Sequence, residues 1–178
     1  MSKAIFIDRD GTIGGSNKVL YPNEFVPYPY MHDAIRKLKE AGYAIYAFSN
    51  QPGISKGEVT IEDFEKELKG YGFDNAYICP HTHQDKCSCR KPSPYMLQKA
   101  ANDNALELEK CIVIGDRWTD MLAAHEAGCK KVLVKTGAGQ ETYELYNQKV
   151  YFGKYAEVTP EYVADDLLKA AGWIVMNP

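Results

Sequence analysis

The chain has 178 residues, of which 45% are apolar and 25% are charged, and its formal net charge is -3. This length suits one domain, residues 1–178, with a core that needs no disulfide support. The mild, mixed charge disfavours nucleic acid or an anionic membrane as a partner, and the apolar runs are too short to span a bilayer. The first apolar stretch ends at Asp8, unlike a secretory signal, so we expect a cytoplasmic protein.

Short apolar runs alternate with helix-patterned segments along the chain. Strands are predicted at residues 3–7, 43–48, 75–79, 111–115 and 131–134. Helices are predicted where apolar side chains recur three and four residues apart, at residues 31–38, 61–71, 96–101, 118–125 and 160–171. Thr60 is placed to cap the second helix, and Gly42 and Gly128 are placed to end the first and the fourth.

This alternation indicates an α/β protein with a doubly wound, mostly parallel sheet and helices on both faces. In such sheets, ligands bind at the carboxyl ends of the strands. Four polar segments follow predicted strands, at residues 8–12, 49–53, 79–89 and 116–120. We therefore expect these segments to converge on one site.

Two carboxylates follow the first predicted strand. Asp8 and Asp10 face the same side while the chain stays extended, because alternate residues of a strand point the same way. Close carboxylates favour a shared proton or a bound divalent cation. An Asp-x-Asp pair alone is more typical of a solvated turn. The buried strand before it, and Gly11 and Thr12 after it, favour a functional site.

Three further segments carry residues suited to phosphate chemistry. Asp116 could complete an oxygen-rich Mg²⁺ site, with Asp120 projecting from the helical turn beside it. Ser49 offers a hydroxyl to a phosphate oxygen, and the neighbours Arg90 and Lys91 could balance phosphate charge. Taken singly, these segments also fit a helix start, a generic loop and a solvated surface pair. Their combination is the informative feature.

A loop at residues 79–89 concentrates sulfur and imidazole ligands. The predicted ligands are Cys79, His81, Cys87 and Cys89. Three thiolates and one imidazole suit tetrahedral Zn²⁺, and a closed set of four ligands indicates a structural site. His83 is an alternative to His81, whereas Cys111 and Cys129 are interpreted as core or near-surface thiols. A reducing compartment disfavours a disulfide framework.

The four polar segments together resemble the haloacid dehalogenase (HAD) superfamily of phosphatases, over roughly residues 3–135. The motifs that carry the resemblance stand in the family order: Asp8-x-Asp10-Gly11-Thr12, Ser49, Lys91 and Gly115-Asp116-x-x-x-Asp120. The resemblance implies a HAD-like Rossmannoid fold. No insertion here is long enough to form a large cap domain.

The resemblance also implies a two-step phosphoryl transfer. Asp8 would attack phosphorus and form an aspartyl phosphate, while Asp10 would protonate the leaving alcohol and then activate water. Mg²⁺ would be held by the side chains of Asp8 and Asp116 and the backbone carbonyl of Asp10. The remaining implied residues are Ser49 and Lys91 on the transferring oxygens, Asn50 and Arg90 nearby, and Thr12 and Asp120 in support.

The zinc loop runs directly into Arg90-Lys91-Pro92, as in a subgroup whose members hydrolyse D-glycero-D-manno-heptose 1,7-bisphosphate or histidinol phosphate. Residues 51–57 and 132–137 look more like the heptose enzymes, whereas the short zinc insert and residues 115–120 look more like the histidinol-phosphate enzymes. Residues 14–18, implied to lie near the leaving group, depart from both. We therefore predict a Mg²⁺-dependent phosphomonoesterase for a small sugar phosphate or bisphosphate, with histidinol-phosphate phosphatase as the alternative.

Two non-hydrolytic classes fit less well. A phospho-accepting receiver domain would carry its acceptor aspartate after the third strand, where residues 75–79 instead end in the Cys/His loop. A zinc-dependent binding module would account for the loop but not for the ordered acids. The expected partner is a small phosphorylated metabolite.

Overall fold

Six short segments form one parallel sheet in the computed structural model, which describes residues 2–178. The strands are β1 Ala4–Ile7, β2 Ala44–Asn50, β3 Asn75–Cys79, β4 Ile112–Gly115, β5 Lys130–Val134 and β6 Tyr162–Ala164. Their order across the sheet is β3-β2-β1-β4-β5-β6, and every adjacent pair is parallel. The side chains of β1 and β4 are buried throughout, as expected for strands covered on both faces.

Six helices connect and cover the strands. They are α1 Met31–Glu40, α2 Ile61–Gly70, α3 Tyr95–Asn104, α4 Trp118–Ala127, α5 Gly139–Asn147 and α6 Leu167–Met176. One core, containing Ile5 and Ile7, packs under α1 and α6, whereas the core on the other face contains Phe6 and packs under α3 and α4. Alternate residues of β1 therefore pack into opposite cores. This arrangement confirms the predicted doubly wound α/β architecture.

The predicted cap of the second helix is present in the structure. The Thr60 hydroxyl accepts a hydrogen bond from the Asp63 N–H at 3.2 Å, and the Asp63 carboxylate accepts one from the Thr60 N–H at 3.1 Å. This reciprocal pair satisfies two donors that the helix itself leaves free.

The C-terminal region differs from its prediction. The helix predicted at residues 160–171 is wrong at its start, because Tyr162–Ala164 forms the edge strand β6 and the helix begins only at Leu167. Asp166 caps that helix by accepting a hydrogen bond from the Lys169 N–H at 2.9 Å. A short apolar run does not by itself distinguish strand from helix, which is the physical reason for the error. The helix α5 was not predicted; of its nine residues only Gly139 and Thr142 are buried, while Tyr143 and Tyr146 are partly buried against a small core around Trp118.

The strand order changes direction at β1, between β2 on one side and β4 on the other. A crevice forms at the carboxyl ends of the strands where such a sheet reverses its order. The polar segments after β1, β2 and β4 therefore meet at one edge. Within residues 2–178, none of the helices combines the length and the apolar character needed to cross a bilayer.

Candidate active site

A cavity of about 420 Å³ opens at the carboxyl ends of the central strands. Five of the predicted site residues line it: Asp8, Asp10, Asn50, Arg90 and Lys91. Ser49, one residue before the end of β2, is only 1% exposed. Predicted side chains from three separate segments are thus brought to one place by the sheet.

Three carboxylates crowd together beside this cavity. Asp8, Asp116 and Asp120 each offer an oxygen within 4.8 Å of the others. Asp116 accepts a 2.8 Å hydrogen bond from the Ala138 N–H and a longer one, 3.4 Å, from the Thr12 hydroxyl. Burial and the facing carboxylates of Asp8 and Asp120 raise the pKa of Asp116 to about 9. The cluster therefore favours a proton or a cation at Asp116.

Lys91 supplies the positive charge nearest to the other two carboxylates. Its ammonium group donates to Asp8 Oδ1 at 2.8 Å, to Asp120 Oδ1 at 2.7 Å and to the Phe48 carbonyl at 3.2 Å. Although burial lowers it, the pKa of Lys91 is raised overall by Asp120 and Asp8. The second oxygen of Asp120 accepts a hydrogen bond from the Arg117 N–H at 3.1 Å. Asp120 thus holds both the Lys91 ammonium group and the backbone at the start of α4.

The Asp10 carboxylate lies outside this cluster and has partners of its own. Arg9 donates to Asp10 Oδ1 at 2.7 Å, and the side-chain amide of Gln51 donates to Asp10 Oδ2 at 2.7 Å. Burial raises the pKa of Asp10, while Arg9 and Gln51 oppose that shift. A carboxyl group with a raised pKa is suited to giving and taking a proton.

Sequence reasoning missed both partners of Asp10. Arg9 is fully buried, and its guanidinium also binds the two oxygens of Glu67 at 2.7 and 2.9 Å. A charged residue directly after a buried strand was the available signal, but its partner lies 58 positions away. Gln51 is likewise fully buried, although its local sequence reads as an ordinary loop.

Gly11 allows the chain after Asp10 to pass close to Asp116. Its φ is +83°, and a Cβ there would collide with Asp116 Oδ2. The Gly11 carbonyl accepts a 2.7 Å hydrogen bond from Thr136, in the loop after β5. This loop also contributes the Ala138 N–H that binds Asp116, so it completes the site without having been predicted.

The Cys/His cluster forms beside the cavity. The ligand atoms of Cys79, His81, Cys87 and Cys89 lie within 4.8 Å of one another. Within that group, Cys79 Sγ is 3.6 Å from Cys87 Sγ and 3.2 Å from Cys89 Sγ. These distances are longer than the S–S bond of a disulfide. They approach the sulfur–sulfur distance of about 3.8 Å expected for two thiolates bound tetrahedrally to one zinc ion. The cluster could therefore hold a metal ion.

The remaining cysteines and histidines lie in different surroundings. His81 Nδ1 lies 3.3 Å from Cys89 Sγ, whereas His83 lines the cavity. Cys111 and Cys129 are buried among apolar side chains of the sheet, away from the cluster. The loop at residues 79–89 also orients Arg90, which donates to the His81 carbonyl at 3.3 Å.

Comparison with protein families gives matches over most of the chain. Residues 16–128 match the model described as haloacid dehalogenase-like hydrolase. Residues 88–170 match a second model, described as HAD-hydrolase-like. The two matches together include the predicted motifs that follow β2, β3 and β4.

Relatives of known name extend this similarity. The chain is 35% identical over 147 residues to D-glycero-beta-D-manno-heptose-1,7-bisphosphate 7-phosphatase of Helicobacter pylori strain J99, covering 76% of this chain and 84% of that protein. It is 34% identical to D-glycero-D-manno-heptose-1,7-bisphosphate 7-phosphatase of Chlorobaculum tepidum, covering 99% of this chain and 96% of that protein. Among solved structures, D,D-heptose 1,7-bisphosphate phosphatase from B. bronchiseptica, complexed with magnesium and phosphate, matches with a TM-score of 0.82 at 30% identity and full coverage of both chains.

Proposed function

Since this chain belongs to the haloacid dehalogenase-like hydrolase family, we propose that it is a Mg²⁺-dependent phosphomonoesterase acting on a small sugar bisphosphate through an aspartyl phosphate. Family membership makes the chain a hydrolase, as its motifs predict. The relatives named above are heptose bisphosphate phosphatases, which supports a substrate of that kind. The observation that carries the proposal is the Asp8 carboxylate, which lines the cavity beside Asp116 and is bound by Lys91.

Asp8 is the proposed nucleophile. Its carboxylate oxygen would form a bond to phosphorus as the bond between phosphorus and the leaving oxygen breaks. Lys91, already 2.8 Å from Asp8, would hold a transferring phosphate oxygen together with Ser49 and Asn50. Asn50 accepts a 3.1 Å hydrogen bond from the Lys91 N–H, which joins the second and third motifs.

Asp10 is the proposed acid and base. It would give a proton to the departing alcohol and later take one from the water that hydrolyses the aspartyl phosphate. Its raised pKa, which results from burial, supports the first of these roles. Arg9 and Gln51 hold its two oxygens, so the carboxyl group has a defined direction.

The residues present fit a hard divalent cation. Asp116 and Asp8 are close, buried carboxylates, and Asp116 has no ion-pair partner among residues 2–178. We propose that both side chains and the Asp10 carbonyl hold Mg²⁺, with Thr12 and Asp120 in supporting positions. The metal would lower the repulsion between a carboxylate and a phosphate.

Two guanidinium groups favour a second phosphate on the substrate. Arg90 and Arg117 both line the cavity, and each donates to a backbone carbonyl, that of His81 and that of Asn17. In the described part of the chain neither has a carboxylate within 4.0 Å, unlike Arg9 and Arg36. Fixed, unpaired guanidinium groups suit a second phosphate and disfavour the cationic amine of histidinol phosphate.

The Cys/His cluster is proposed to bind structural Zn²⁺ through Cys79, His81, Cys87 and Cys89. Three thiols and one imidazole already lie at nearly tetrahedral spacing, which supports this assignment. Zinc there would fix the loop that carries Arg90 and Lys91. It would therefore act on substrate binding without contacting the substrate.

The proposal is tested by measuring phosphate release with Mg²⁺ from a heptose bisphosphate, the matching monophosphates and histidinol phosphate. We expect kcat/KM to be roughly a hundredfold or more higher for the bisphosphate, because two charge-assisted hydrogen bonds to the second phosphate are lost with a monophosphate. Replacing the nucleophile in Asp8→Asn should reduce release by roughly a thousandfold or more. Unchanged hydrolysis by Asp8→Asn, or preference for histidinol phosphate, would contradict the proposal.

A further inference from the structure

Gln51 joins two of the proposed catalytic groups. Its side-chain nitrogen donates to Asp10 Oδ2 at 2.7 Å and to Ser49 Oγ at 2.8 Å. The side chain is fully buried, and its backbone N–H donates to the Cys79 carbonyl at 2.8 Å. One rigidly held amide thus lies between the end of β2 and the segment after β1.

The contact with Gln51 determines what the Ser49 hydroxyl can do. A hydroxyl group has one proton to donate and lone pairs that accept. Because Ser49 Oγ accepts from Gln51, its own proton remains available for another acceptor. In a site for phosphate esters, that acceptor is a phosphate oxygen.

The same contact limits the rotation of Asp10. Its two oxygens are held by different donors, Arg9 on Oδ1 and Gln51 on Oδ2. Two fixed donors on opposite oxygens leave the carboxyl plane little freedom to turn. The lone pairs not used by these donors are therefore the ones that can face a leaving group.

The orientation of the amide itself follows from these partners. Gln51 Oε1 is the one buried side-chain oxygen or nitrogen without a hydrogen-bond partner in the part of the chain that the structure describes. Reversing the amide would set this oxygen against the Asp10 carboxylate and would draw the Ser49 proton toward Gln51. The amide nitrogen therefore faces both acceptors, although the oxygen is left without a donor.

We propose that Gln51 is a positioning residue that directs the Ser49 proton and the Asp10 carboxyl group toward one phosphate ester. The inference rests on the proposed function, because it requires that Ser49 holds a transferring oxygen and that Asp10 serves the leaving group. Gln51 touches neither the substrate nor the nucleophile in this role. It acts through its two neighbours.

The test is a double-mutant cycle of Gln51→Met with Ser49→Ala, assayed on the best substrate at saturating Mg²⁺. Methionine has nearly the length of glutamine but donates no hydrogen bond. Gln51→Met should lower kcat by roughly tenfold to a hundredfold, with a smaller change in KM. In the Ser49→Ala background the same substitution should lower kcat by a clearly smaller factor, because part of its effect passes through Ser49.

The control is Gln98→Met, an equivalent change on the exposed face of α3, which should leave kcat unchanged. Activity of Gln51→Met within threefold of the wild type, or strictly multiplicative losses in the cycle, would overturn the inference. If Gln51→Met does not fold by circular dichroism, Gln51→Asn takes its place, because its shorter amide cannot bridge both acceptors. An inactive wild type would instead refute the proposed function.

Discussion

Arg9 shows how one buried charge holds two carboxylates, those of Asp10 and Glu67, in place. Its guanidinium binds Asp10 and Glu67 and also donates to the Leu20 carbonyl at 2.7 Å. The ring of Phe25 lies 3.9 Å from the guanidinium carbon. A buried cation of this kind is tolerated because its partners are in place, and removing it leaves two carboxylates uncompensated.

We therefore expect Arg9→Leu to destabilise the protein by about 3–5 kcal/mol in urea unfolding. Arg36→Leu is the matched control, since Arg36 forms exposed ion pairs with Asp33 and Glu40, and should change stability by less than about 1 kcal/mol. Equal effects of the two substitutions would show that burial of Arg9 does not matter. The double variant Arg9→Leu with Glu67→Leu should recover part of the loss, because one unpaired charge is removed.

The sequence predicted the groups proposed to do chemistry more readily than the groups that hold them in place. Asp8, Asp10 and Asp116 follow strands in recognisable motifs, and the structure brings them to one crevice. Gln51 binds Asp10 across 41 positions and Arg9 binds Glu67 across 58, and a linear pattern does not record such contacts. The unpredicted support for Asp116 from the loop after β5 has the same cause.

Among the elements, those with buried, periodic apolar residues were predicted well. β3 has the predicted bounds, and β1, β2, β4 and β5 differ from theirs by one or two residues. α5 buries only Gly139 and Thr142, and β6 is three residues long, so neither presents a run of fully buried apolar residues that sequence reasoning can use. Tertiary packing, rather than local preference, determines these two elements.

The loop between β3 and α3 has few apolar contacts of its own. We therefore expect its ordered conformation to depend on the proposed zinc ion. The purified wild type should carry about one zinc per chain by elemental analysis, and Cys89→Ser should lose it. Because Arg90 is bound to the His81 carbonyl, the same variant should raise KM for the substrate.

A cysteine outside the cluster provides the control for this experiment. Cys129→Ala removes a buried thiol directly before β5 and should retain zinc and KM. Retention of zinc by Cys89→Ser, or its absence from the wild type, would contradict the structural-zinc assignment.

On the scale of the whole molecule, the C-terminal helix closes one face of the sheet. α6 packs along α1 and contributes Leu167, Ala170 and Ile174 to the same core as β1 and β2. Tyr162 in β6 stacks on Trp173 in α6, with ring centroids 4.9 Å apart and planes within 3°. The chain thus contributes to the main core as far as Ile174, whereas residues 175–178 are exposed.

Two adjacent β-branched residues of α6 provide a matched test of this packing. Ile174 is fully buried, whereas Val175 is 40% exposed. Ile174→Ala should reduce the free energy of unfolding by about 2–5 kcal/mol, through lost burial and a cavity. Val175→Ala should change it by less than about 0.5 kcal/mol. Similar midpoints in urea for the two variants would show that α6 is not anchored in the core.

The wide separation of the site residues has a consequence for a growing polypeptide. Lys91 meets Asp8 across 83 positions, and Thr12 meets Asp116 across 104. A nascent chain that has emerged only as far as α3 already holds the proposed nucleophile and its lysine but lacks Asp116 and Asp120. Synthesis from the N-terminus therefore delivers the proposed nucleophile before Asp116, the other proposed Mg²⁺ ligand, and no truncated product ending before β4 could contain the complete proposed site.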